Sequence, residues 1–200
     1  MAFVWPIGGG KGGSGKSFLT SSLGRLSAQA GKKTLIIDLD LGAANLHTLV
    51  GVPYPEKGFS DFLQKRIPLL EDTVIKTSYE NLFLISGARD NFDIANLPYA
   101  QKMKTLRAIA RLDYDRILLD LGAGTSFNTL DFFLISQNGI FVTTPEPTSI
   151  ENVYRLIRSI YFRLIRYCFT APEYKALGEE MENKFGQGAT NRPDTMMNAL

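Results

Sequence analysis

Short apolar runs alternate along this chain with longer segments of helical period. Residues 3–7, 34–37, 82–85, 116–119 and 139–143 read as strands, each a compact apolar run bounded by turn residues. Residues 16–29, 97–112 and 149–169 repeat their apolar positions at helical spacing. The stretch 49–77, broken by Pro53, Pro55, Gly58 and Pro68, reads as loops with a short helix near 60–65. Strands alternating with helices predict an α/β fold, a mainly parallel sheet with helices on both faces. Pro6 has no ladder donor, so the first strand is expected to end near Trp5 or to carry a bulge. From Gly178 onward the chain turns polar and Gly-rich without periodicity. The expected organisation is a core over 1–170 followed by a polar linker or disordered tail over 171–200.

Composition narrows the chemistry. At 200 residues, 44% hydrophobic and 21% charged, the chain suits one globular domain. A net charge of +2 argues neither for nucleic acid nor for a membrane. Cys168 is the only cysteine, which excludes a disulfide framework and a Cys-based iron–sulfur or zinc site within one subunit. His47 is the only histidine, which argues against a Ser-His-Asp triad or a His-rich metal site. The start MAFVWPIGGG has no basic region before an apolar one, and no apolar run reaches membrane-spanning length. A cytoplasmic location is expected.

The chemistry concentrates after the first strand. Gly10-Lys11-Gly12-Gly13-Ser14-Gly15-Lys16-Ser17 stands between a strand and a helix, the context in which a Gly-rich loop turns its backbone N–H groups onto phosphate. Lys16 is placed to reach the β- and γ-phosphates, Ser17 to ligate Mg²⁺, and the helix start adds its positive end. The expected cradle runs from Gly10 through Lys11, Gly12, Gly13, Ser14, Gly15, Lys16 and Ser17 to Phe18. The second strand runs into Asp38 and Asp40, and residues 116–119 run into Asp120. Acids at the carboxyl edge of strands beside a phosphate site suit Mg²⁺ and water positioning. Ser17 and Asp120 are therefore metal candidates, Asp38 and Asp40 suit metal or water positioning beside them, and Gly122 and Gly124 would let the following loop respond to the γ-phosphate.

Lys11 is a second lysine within the loop. With it, GGKGGSGKS resembles the signature of the ParA/MinD superfamily of deviant Walker-A P-loop ATPases. The resemblance implies ATP and Mg²⁺ as cofactors and an ATP-dependent homodimer in which Lys11 reaches the partner's nucleotide. It further implies that Asp38 assists metal hydration and Asp40 orients the attacking water, so Lys11, Lys16 and Asp40 form the catalytic set. The wording DLDLGAANLHTLVG, DLGAGTS and TTPEPTSIENVY is most similar to the MinD-like regulators of flagellar number and placement (FlhG, FleN or YlxH type), over about residues 3–169. Within it, Pro145-Glu146-Pro147 is either the family's segment beside the nucleotide or a plain proline-stiffened loop.

The implied function is a slowly hydrolysing dimerisation switch in the control of flagella or cell division. A DNA-partition ParA-type ATPase and a metabolic P-loop ligase remain as alternatives, the ligase the weaker. On residues 149–169, Arg155, Arg158, Arg163 and Arg166 fall on one side and apolar residues on the other. That pattern fits a helix packed on the sheet with a solvated face, or one in peripheral membrane contact. Family sheets have more strands than the five expected here. A shortened chain is therefore expected, with the edge after the fifth strand uncovered and prone to self-association.

Overall fold

The computed structural model describes residues 2–40, 44–88 and 97–188. Among them lie six strands: β1 (Phe3–Gly8), β2 (Thr34–Asp38), β3 (Ile75–Lys76), β4 (Leu82–Ile85), β5 (Arg116–Asp120) and β6 (Ile140–Phe141). Their order in one sheet is β3-β4-β2-β5-β1-β6. Every pairing is parallel except that of β3 with β4. The helices are α1 (Lys16–Gln29), α2 (Leu46–Leu49), α3 (Phe59–Leu63), α4 (Tyr99–Arg111), α5 (Phe127–Phe133), α6 (Pro147–Thr170) and α7 (Lys175–Phe185).

Successive residues of a strand face opposite sides of a sheet. Leu35, Ile36 and Ile37 of β2 are all 0% exposed, as are Ile117, Leu118 and Leu119 of β5, so both faces of the sheet's middle are covered. On one face Ile7, Ile36, Leu84 and Leu118 pack with Ala28 and, partly buried, Leu19 and Leu23 of α1. Each such burial stabilises the fold by about 1.5–3 kcal/mol. The buried face of α1 is otherwise small: Thr20, Ser21, Gly24 and Ala28. A Cβ on Gly24 would stand 2.8 Å from Ile36 Cγ2, so its absence is what lets α1 lie this close to β2. The same helix sets Thr20 on Asp120 at the carboxyl end of β5.

Two compact units divide between Leu156 and Ile157, inside α6. The second has its own small cluster, in which Phe162, Ile165 and Phe169 of α6 meet Met181 of α7. Among the described residues no helix is long and apolar enough to cross a membrane.

Several expectations are corrected. β1 passes through Pro6 without ending or bulging, its register against β5 unbroken from Phe3↔Arg116 to Ile7↔Asp120. Phe3 N donates to Asp115 O and Ile7 O accepts from Leu121 N, so the odd residues of β1 face β5. Pro6 therefore turns its nitrogen toward β6, whose pairing begins only at Ile7, and no ladder bond is lost. Residues 49–77 are not loop and short helix alone: they also supply β3, which returns on β4 through a turn whose Asn81 sits at φ 60°.

The last expected strand shrinks to Ile140–Phe141. α4 begins only after Pro98, and α6 begins at Pro147, where a proline costs no helical hydrogen bond. α2 and α5 were not expected. Over Lys175–Phe185 the loop reading fails as well. Gly178 lies inside α7 with its Cβ position 3.4 Å from Phe169 Cβ, and strong helix formers surround it. Residues 189–200, and Leu41 to Ala43 after Asp40, lie outside the described residues.

Candidate nucleotide site

The Gly-rich loop leaves the carboxyl end of β1 at the sheet's interior and enters α1 at Lys16. Gly13 (φ 76°) and Gly15 (φ 94°) occupy left-handed backbone, which side-chain-bearing residues adopt only with strain. Gly10 is required for another reason. A Cβ there would fall 2.2 Å from the carbonyl carbon of Asn152, because the loop rests directly on the first turns of α6. At Gly12, Gly13 and Gly15 an added Cβ would meet nothing within 4 Å, so the inner side of the loop is open.

Lys16 is 6% exposed and folds back over the loop, its Nζ donating to the carbonyl of Lys11 at 3.3 Å. Phe18 places its side chain in solvent, 69% exposed, so only its backbone is available to the cradle. Lys11 points outward. Its Nζ lies 3.1 Å from Glu146 Oε2, both groups about half exposed, so it is not aimed at a phosphate in its own loop.

Two strand ends bring the acids together. Asp38 and Asp120 are register partners on β2 and β5 and are 0% and 1% exposed. Asp120 Oδ1 accepts from the Thr20 hydroxyl at 3.3 Å, while its Oδ2 is buried without a partner. Burial pushes the Asp120 carboxyl up to about 6, against the opposing effects of the Ser17 hydroxyl donating to it and the Lys16 charge. Burial, then the neighbouring Asp120 charge, pushes Asp38 up to about 7. Asp38 accepts from the backbone N–H groups of Asp40 (3.2 Å) and Leu46 (3.1 Å), which ties the start of α2 to the strand end. Asp40 in turn abuts the loop after β5: a Cβ on Gly122 would lie 3.4 Å from its carboxyl carbon.

Ser17, Asp38 and Asp120 are thus brought to one place, and the donor set fits a small hard cation. Two buried carboxylates stand as register partners, one oxygen is orphaned, and a hydroxyl stands beside them. Among the described residues no group of three or more His, Cys, Asp or Glu could hold a metal alone. The open loop, with Ser14 Oγ buried and unpartnered, fits a phosphate group in the same way.

Residues 6–184 match the CobQ/CobB/MinD/ParA nucleotide binding domain. The chain belongs to this family. Antiactivator FleN of Pseudomonas aeruginosa is 27% identical over 157 residues, 78% of this chain and 55% of its own length. A protein described as a putative septum site-determining protein MinD, from Guillardia theta, is 33% identical over 159 residues, 78% of this chain and 58% of its own. Among solved structures, septum site-determining protein MinD of Pyrococcus horikoshii, complexed with Mg-ADP, superposes with a TM-score of 0.67 at 28% identity. That match covers 79% of this chain and 65% of the other. The chain therefore spans little more than half the length of the curated relatives it matches, 55% and 58%.

Within this CobQ/CobB/MinD/ParA domain, sequence reasoning missed Thr20 and the Leu46 N–H as supports of the acid pair, and the ion pair of Lys11 with Glu146. Thr20 had a signal: it stands one turn beyond Lys16, on the same face of α1, and also donates to the Lys16 carbonyl at 2.9 Å. The Leu46 contact had none, since no spacing rule joins a strand-end carboxylate to an N–H eight residues further on.

Proposed function

We propose that this chain is the nucleotide-binding part of an ATP-dependent dimerisation switch of the MinD/ParA type, which hydrolyses ATP slowly and serves the control of flagellar number and placement or of cell division. The observation that carries the reading is the pair of lysines on one loop, Lys16 folded inward over the cradle and Lys11 directed outward to Glu146. One triphosphate needs the first. The second is free to serve a nucleotide bound by another copy. In this proposal residues 1–170 are the ATPase core and 171–200 a linker that is helical over Lys175–Phe185.

The roles come from position. Loop N–H groups and Lys16 would bind the phosphates. Ser17, Asp38 and Asp120 would hold Mg²⁺, which when bound supplies positive charge to the phosphate oxygens. Asp40, standing against Gly122, would fix the attacking water between the two loops that flank the γ-phosphate. The FleN and MinD relatives support the flagellar and division readings about equally. A cytoplasmic location, with peripheral contact at the inner membrane face, belongs to the same proposal. The test is light scattering of the chain with and without ATP·Mg²⁺, together with phosphate release. A monomer that doubles its mass only with ATP is expected; a chain that binds ATP yet stays monomeric throughout would end the switch reading.

A further inference from the structure

Away from the nucleotide loop, α4 borders a cavity of about 440 Å³ with an apolar floor and a cationic wall. Phe62, Leu70 and Leu112 line it and are at most 7% exposed, while Leu69 stands at the rim, 52% exposed. Lys104, Arg107 and Arg111 line it from α4, all exposed. Their i, i+3, i+7 spacing sets them in one row about 10 Å long. α4 contains no acidic residue, and among the described residues Glu71 is the only acid lining the cavity. Lys104 Nζ sits 4.9 Å over the Phe62 ring, so the cation caps the apolar floor.

The wall is preformed. Lys102, on the inner side of α4, makes a buried ion pair with Asp131 of α5, and Asn128 of α5 donates to Leu97 O at 3.2 Å. Gln101 of α4 donates to Leu63 O at the end of α3. The helix that carries the row is therefore held in place without help from a ligand.

We propose that this groove docks an acidic amphipathic segment of a partner protein, an apolar side chain entering the floor and its carboxylates meeting the row on α4. Charge complementarity decides the occupant's sign, and the apolar floor decides its class. A volume between about 300 and 1,000 Å³ takes a few side chains. A lipid surface calls for apolar groups that project outward, whereas these line a hollow. Nucleic acid would use the cations but gain nothing from the floor. The inference does not depend on the dimerisation reading, because no residue of the nucleotide site takes part.

The experiment uses the whole chain and three probes. The first is a fluorescein-labelled helical peptide of about 14 residues with leucines on one face and glutamates beside them, measured by anisotropy. The glutamate peptide is expected to bind at least about tenfold more tightly than its glutamine counterpart and to weaken with salt. Lys104→Glu/Arg107→Glu/Arg111→Glu should lose at least about tenfold, and Leu69→Ser should lose affinity with every charge kept. Circular dichroism and nucleotide binding should be unchanged in both. Equal binding by the triple variant, or no peptide binding at all, overturns the proposal. Vesicles containing phosphatidylserine and a duplex DNA are the other probes. Retention of either through the three cations, in preference to the peptide, overturns it too.

Discussion

Lys16 carries the clearest prediction at the scale of single residues. It is the one cationic side chain folded over the open loop, so Lys16→Ala should weaken ATP·Mg²⁺ binding by about a hundredfold or more, close to 3 kcal/mol. Calorimetry reads this directly, and unchanged affinity would remove the loop from the site. The glycines of the same loop divide by what an added methyl would meet. Gly10→Ala drives a Cβ into the backbone of Asn152, which a helix cannot move aside, and should destabilise the fold by about 1–3 kcal/mol. Gly12→Ala meets only open space, so thermal unfolding should match the parent. Two equal melting temperatures would contradict the packing of this loop on α6. The motif glycines were legible in the sequence. Their division of labour was not, because Asn152 lies 142 residues further along the chain.

Elements that bury an uninterrupted apolar run were legible as a class. The middle strands β2, β4 and β5 appear where their runs predict, since both faces of a parallel sheet reward apolar side chains. What escaped were elements whose reason to form lies elsewhere in the chain. β3 has two residues and exists because β4 offers an edge; α7 exists because Phe162 and Phe169 give Met181 something to cover. The acids of the site were legible for the same reason as the strands they end, whereas the Lys11–Glu146 pair joins two loops that no spacing rule connects. α4 and α5 illustrate a further contact of this kind, the buried ion pair of Lys102 with Asp131. Lys102→Ala should cost about 3 kcal/mol, the lower end for breaking a buried pair, since Asp131 retains another interaction. Lys102→Met with Asp131→Leu should recover most of it in a denaturant titration, because the desolvation penalty disappears with both charges. A double variant no better than the single would mean that the pair itself, not its broken half, sets the cost.

Whole-molecule behaviour rests on what Lys11 does when a second copy is present. In the single chain it pairs with Glu146 across a half-exposed surface, and exposed pairs of this kind contribute about 0.2–1 kcal/mol. That is too little to hold the lysine back from a bound triphosphate. Glu146→Gln should therefore change the dimerisation constant by no more than about fivefold. Lys11→Ala should still bind ATP, since Lys16 and the loop backbone are untouched, but lose ATP-dependent dimerisation. Asp40→Ala should bind and dimerise yet release phosphate at least about tenfold more slowly, leaving a persistent ATP-bound dimer, because in the proposed switch the carboxylate beside Gly122 would position water rather than bind nucleotide. Light scattering and phosphate release on the three variants separate these outcomes. If Lys11→Ala dimerises like the parent while Glu146→Gln does not, the outward lysine serves its own chain, and the dimer is built by another contact.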